Sequence, residues 1–174
     1  TAKPFSAKSD CAHCLLAMTI SPQMQEKIGK IEKLVQDGYT LKKTEYGFID
    51  FRNSSEKPVN IFGGFKSPAG FSWIAFFFPF AVCTQIKEWS YFYVTGCLFA
   101  IVAVIHGITG YDANTAGGIA IAVTYGYMFP YLRKIAKDNG TSENSKRKSI
   151  LIGILLSIAC IIPSIIIDIG FGNF

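Results

Sequence analysis

Polarity along the chain divides it in two. Three long stretches carry no charge: Trp89–Tyr111, Ala113–Leu132 and Ser149–Ile167. A helix needs about 20 mostly apolar residues to cross ~30 Å of hydrocarbon, so each stretch predicts a membrane-spanning helix. Ahead of them, Phe71–Ile86 is a shorter apolar and aromatic segment with Pro79 in it, closed by Lys87-Glu88. Its apolar part, Phe71–Cys83, is too short as a helix to cross the hydrocarbon, reaching only about 20 Å. Pro79 also removes one backbone hydrogen bond. Two readings follow: a re-entrant or interfacial segment, or a kinked fourth span.

Residues 1–66 follow another pattern, with Lys/Arg and Asp/Glu interspersed throughout. Ser21-Pro22 reads as a helix start, and Met24, Ile28, Ile31 and Val35 recur at helical spacing on one face. Asp37-Gly38 supplies the stop. Tyr39–Lys43 alternates, and Tyr46–Phe51 is rich in aromatics, which predicts a hairpin. A module of about 35 residues buries little core alone, so it needs the membrane, a partner or a second copy to lean on. Residues 53–70 hold Pro58, Gly63-Gly64 and Pro68-Ala69-Gly70 and read as a linker. The expected fold is mainly α: a helical membrane bundle in 67–174 behind a small α+β module in 1–66.

Composition agrees with this division. Half of the residues are apolar and 17% are charged, fewer than the roughly 25% usual in soluble domains. The formal net charge of +5 has an ordinary source in basic residues flanking spans, so no nucleic-acid partner is expected. Thr1–Ser21 contains no apolar core of a cleavable signal. Arg133, Lys134, Lys137, Lys146, Arg147 and Lys148 crowd one loop, which places it in the cytoplasm. The stretch around Asp112 then lies outside and Lys87 inside. With a re-entrant 71–86 segment the N-terminal module stays inside too; with a fourth span it lies outside.

The segment GFSWIAFFFPFA, followed by KEW, a long apolar helix, and a Gly/Ala-rich helix from Asn114 to GYMFPYLRK, resembles a bacterial family of small inner-membrane proteins of unknown function. Its hallmark is a G-F-x-W-x-A-F-F-x-x-P-like segment. The resemblance covers about 70–134 and implies a bacterial inner-membrane location. It implies no catalytic activity, and Ile150–Ile169 lies beyond it.

Few residues suggest chemistry. Cys11 and Cys14 flank His13, but zinc usually takes two such pairs. Inert thiols, a zinc site completed by another chain and a redox pair all remain open. No cofactor is expected. Gly118, Ala122 and Gly126 form a small-residue stripe that admits a close helix, within the chain or from another one. Asn114 serves as a cap or as a cross-helix hydrogen-bonding group. Phe71, Trp73, Pro79 and Trp89 define the aromatic membrane hairpin. His106 and Asp168 belong at the outer ends of their spans, where a wet interface or a proton path would place them. The chain lacks a nucleotide-binding glycine loop, an H-E-x-x-H and a G-x-S-x-G, so no enzyme is expected. The expected function is a non-catalytic accessory, assembly, regulatory or immunity-type membrane subunit. A homo-oligomeric channel or small transporter, and a thiol or zinc sensor at Cys11/Cys14, are the alternatives. Expected partners are the lipid bilayer, other membrane subunits and a second copy of the chain.

Overall fold

A computed structural model describes residues 20–63 and 67–172. Helix α1 (Pro22–Gln36) starts where Ser21 Oγ accepts from Met24 N, with Pro22 in the first turn. It ends at Asp37, and Gly38 takes a φ of 90°, which a side chain would strain. Met24, Ile28 and Ile31 are buried as their spacing predicts, but Val35 is 38% exposed. Its neighbour Leu34, half-buried three residues after Ile31, packs against the core instead. Strands β1 (Thr40–Lys43) and β2 (Ile49–Arg52) form an antiparallel hairpin with Leu41 opposite Phe51.

The aromatic segment does not form one helix. It is a short α2 (Trp73–Phe77) and a slightly longer α3 (Pro79–Gln85), separated by Phe78 at φ −132° and ψ 51°. Proline cannot donate to the turn before it and disfavours helical geometry in the preceding residue, so the break falls at Phe78-Pro79. Neither piece, nor the two end to end, has the length of a span.

Three long helices follow: α4 (Ser90–Thr109), α5 (Asn114–Asp138) and α6 (Lys146–Gly170). Two of them, α4 and α6, are long and apolar enough to cross a membrane. Helix α5 is as long as α6 but carries Arg133, Lys134, Lys137 and Asp138 in its last two turns, and buries its second half against protein. The predicted span at 113–132 is therefore one part of a longer helix with a mixed environment. The helices that contain the other two predicted spans, 89–111 and 149–167, run over 90–109 and 146–170.

The contacts give a common axis for these helices. Helices α4 and α6 run parallel: the Cys160 thiol reaches Phe92 O at 3.2 Å near one end, and His106 meets Asp168 at the other. Helix α5 returns antiparallel to α4, with Gly117 against Leu98 and Val102, and Tyr125 against Tyr91 and Ser90. Tyr125 is therefore level with the start of α4. From Gly126 to Asp138, α5 continues about 20 Å beyond that level, at roughly 1.5 Å per residue.

This extension organises everything else. Met128, Phe129, Tyr131 and Leu132 join Met24, Ile28, Ile31 and Phe51 in one hydrophobic cluster. The support that the small module needs thus comes from the chain's own α5. On another side, α3 packs along the first turns of α6. There the backbone carbonyl of Phe80 lies 2.8 Å from where a Cβ on Gly153 would sit, so only glycine fits. Asn144 closes the same corner, its backbone and side-chain N–H groups donating to Gln85 O and Thr84 O at 2.9 Å.

Candidate functional site

The boundary level, where α4 begins and α5 passes from its apolar to its buried half, carries the densest side-chain chemistry. Lys87 at φ 57° turns the chain back between α3 and α4, and aims the buried Glu88 into the fold. Lys43 Nζ donates to both Glu88 carboxylate oxygens at 3.0 and 3.2 Å. Ser90 donates to the same carboxylate through its hydroxyl at 2.6 Å, and its Oγ lies 3.5 Å from Tyr125 Oη. Gly47 must be glycine here, because a Cβ would collide with the Ser90 side chain. Hairpin, α4 and α5 are thereby tied at one point.

A second tie lies deeper. Arg133 donates through Nη2 to both oxygens of Glu143 at 2.8 and 2.9 Å, and Gln85 Nε2 donates to the same carboxylate at 2.9 Å. The Arg133 side chain is 8% exposed, and its guanidinium carbon lies 5.9 Å from the centre of the Phe129 ring. Lys134 pairs with Asp138 one turn on, and Lys137 reaches Glu32 on α1 at 3.0 Å.

Between α1 and the approach to α2 lies a cleft of about 690 Å³. Met24, Lys27 and Lys30 line one wall; Ser67–Gly70 and Phe71–Ile74 line the other. The Phe71 ring lies over Gly126, where a Cβ would collide with it, and Ser72 N donates to Gly126 O at 2.8 Å. The cleft therefore opens one residue from the level of Tyr125. Lys27 Nζ reaches across it to Phe71 O at 2.5 Å. Burial holds its pKa below the usual lysine value, with the neighbouring Lys30 adding to the effect. Lys30 bonds to Glu26, whose pKa falls below the ordinary carboxylate value for that reason. On the other side of the mouth, Trp73 is 66% exposed, and Ile74, Phe77 and Phe78 are exposed beside it.

The residues singled out in the sequence are distributed unevenly around these features. Phe71 and Trp73 meet at 5.0 Å at the cleft, Pro79 is buried at the start of α3, and Trp89 is a half-exposed residue at the start of α4. The stripe splits. Gly126 receives the Phe71 ring rather than a helix, while a Cβ on Gly118 would meet nothing within 4 Å, and Ala122 is half-exposed. The helix contact of α5 with α4 uses Gly117 instead. Asn114 does not cap α5: Ala113 holds the cap position, and Asn114 N donates to Asp112 Oδ1 at 2.8 Å. Cys11 and Cys14 lie outside the described residues. Among the described residues no three His, Cys, Asp or Glu side chains gather as a metal would require.

Three pairings escape a reading of the sequence. Lys43–Glu88, Arg133–Glu143 and His106–Asp168 join residues 45, 10 and 62 positions apart. The His106–Asp168 contact, Nδ1 to Oδ1 at 3.4 Å, sits between two apolar helices and is about three-quarters buried on both sides. One signal for it is present in the sequence: His106 is the one histidine of α4 and Asp168 the one carboxylate of α6, and both stand near the ends of their helices. Comparison with protein-family models, curated proteins and solved structures finds no match to this chain.

Proposed function

We propose that the protein is a small multi-pass protein of a bacterial inner membrane that acts as a non-catalytic accessory, assembly or regulatory subunit. Helices α4 and α6 lie in the bilayer with the first half of α5 beside them. The exposed side chains of α6 include Leu151, Leu155, Ile158, Ile162, Ile166 and Ile169, an apolar face at helical spacing that water would not favour. Helices α2 and α3 rest at the boundary, with Trp73, Phe77, Phe78 and Trp89 as an aromatic belt. The hairpin and α1 sit at the same end of α5 as Arg133 and Lys134. The positive-inside rule therefore carries the whole module to the cytoplasm with that loop.

The observation that favours a subunit role is the bare face of α5 at Gly118 and Ala122. No neighbour among the described residues fills the space at Gly118, and small residues admit another helix at close range. Gly118→Leu should abolish association with a partner subunit or a second copy while leaving helical circular dichroism unchanged. Mass measurement after purification in mild detergent reads this directly. A monodisperse monomer from the unaltered chain, with nothing bound, would sink the proposal.

A homo-oligomeric channel is the second reading, favoured by the His106–Asp168 pair between apolar helices. It predicts ion or proton flux into liposomes that falls at least severalfold in His106→Ala. A subunit without transport activity predicts flux no greater than that of empty vesicles. A thiol or zinc sensor would rest on Cys11 and Cys14 alone.

A further inference from the structure

We propose that the cleft between α1 and residues 67–74 binds the phosphate headgroup of an anionic phospholipid. Lys27 holds the phosphate, Lys30 adds positive charge at the rim, and the acyl chains run out past Trp73 and Ile74. The inference rests on the membrane placement given above.

Three features combine in this cleft. Its volume, about 690 Å³, falls in the range of small-ligand sites and accommodates a phosphoglycerol headgroup. Its position is the second feature. Phe71 and Ser72 bond and pack at Gly126, one residue past the level at which α4 begins, so the mouth opens where hydrocarbon gives way to headgroups. The walls are the third: lysines on α1 face a lip whose outer side chains, Trp73 and Ile74, are apolar and exposed. A molecule that satisfies both must carry negative charge at one end and hydrocarbon at the other.

The surroundings of Lys27 say which charge is missing. Among the described residues no carboxylate pairs with it; its ammonium donates to the Phe71 carbonyl, a neutral acceptor that neutralises nothing. Partial burial without a directly bonded counter-ion is unfavourable for the cation, and a phosphate oxygen within reach would relieve it. Glu26 also lines the cleft and acts on Lys27 through space, but its ion pair is with Lys30, at 2.8 Å on the exposed face of α1. A zwitterionic lipid would bring a second cation beside Lys27, so a phosphoglycerol headgroup fits better than a choline one. A soluble organic phosphate shares the phosphate chemistry but has no use for the apolar lip.

The test uses the full chain with Trp89→Phe, which leaves Trp73 as its one tryptophan. The protein is reconstituted in phosphatidylcholine vesicles containing increasing fractions of brominated phosphatidylglycerol or of brominated phosphatidylcholine. Trp73 fluorescence should be half-quenched at a roughly fivefold lower fraction of the phosphatidylglycerol, the effect of about one lysine at a membrane surface. Lys27→Gln should bring the two lipids to near parity, Lys27→Arg should keep the preference, and Lys30→Gln should reduce it. Lys148→Gln, in the first turn of α6 and outside the cleft's lining, should change nothing. Excess glycerol phosphate should not relieve the quenching; relief would reassign the site to a soluble phosphate and overturn the lipid proposal. Equal quenching by both lipids in the unaltered site, or a preference that survives Lys27→Gln and Lys30→Gln, would also overturn it. Quenching by neither lipid would remove the membrane placement of Trp73 and the proposal with it.

Discussion

Glu143→Ala is expected to destabilise the folded chain by about 3 kcal/mol, the usual result of removing one partner from a buried ion pair. Arg133 projects from the buried half of α5, and Glu143 accepts two of its hydrogen bonds. Arg133 Nε already has no partner among the described residues. Without the carboxylate, a guanidinium side chain that is 8% exposed would have mainly the Phe129 ring beside it. A cation–π contact offsets only about 0.5–2 kcal/mol of that loss. Gln85 would lose its acceptor too, loosening α3 from the loop before α6. The measurement is a denaturant titration of the purified protein in mild detergent. The double variant Arg133→Leu/Glu143→Leu should recover most of the loss, because a buried pair replaced by apolar groups is often nearly neutral. A loss below about 1 kcal/mol for Glu143→Ala would place this pair with exposed ones.

Tyr131→Ala should have an effect of similar or larger size, about 3–5 kcal/mol, as for other buried aromatics. Its ring is fully buried, 5.5 Å from that of Phe51 on β2, and its hydroxyl oxygen accepts from Ala69 N at 3.3 Å. One side chain thereby joins the hairpin, the approach to α2, and α5. The loss should be local in its consequences: α4 and α6 pack mainly on each other, α6 also on α3 and α4 on the first half of α5, away from this point. Limited proteolysis should therefore show rapid cleavage in the 37–60 region while α4, α6 and the first half of α5 stay protected. Tyr131→Phe keeps the ring and gives up the acceptor, and should cost about 1 kcal/mol. If proteolysis were uniform along the chain, module and helices would unfold as one unit.

Arg133 and Tyr131 lie on the half of α5 whose surroundings the hydropathy pattern leaves open. From Ala113 to Leu132 the chain is uncharged, which a span and a buried protein helix satisfy equally well. What separates them is which surface covers the helix, and that depends on residues 24–61, folded against it from a distance. The apolar face of α1, its start at Ser21-Pro22 and its stop at Gly38 were legible because capping and periodicity are local. The hairpin was legible for the same reason. The break at Pro79 could be read as well, since its cause lies within two residues. Where the two short helices would go was not, because Gly126 and Gly153, which receive Phe71 and Phe80, say nothing about their partners in sequence.

Charge was the least legible feature. Glu88 read as the end of an apolar run and Arg133 as the start of a basic loop, both suited to water. Each is instead buried and paired with a residue from another element or loop, Lys43 and Glu143. Pairing of this kind follows from how helices and loops stack, and no local pattern encodes it.

By itself the sequence determined that α4 and α6 are helices apolar enough for a membrane, that Pro79 divides the aromatic segment, and that a basic end faces a less charged one. Those properties reside in contiguous residues: hydropathy, a missing N–H, a count of lysines and arginines. Only the tertiary structure decided that α5 becomes the core of the N-terminal module. It does so by running about 20 Å past the start of α4, at roughly 1.5 Å per residue. The same extension leaves a cleft beside Lys27 and Trp73. A helix's length is written in its own residues, but the level at which its neighbours stop depends on every packed contact between them.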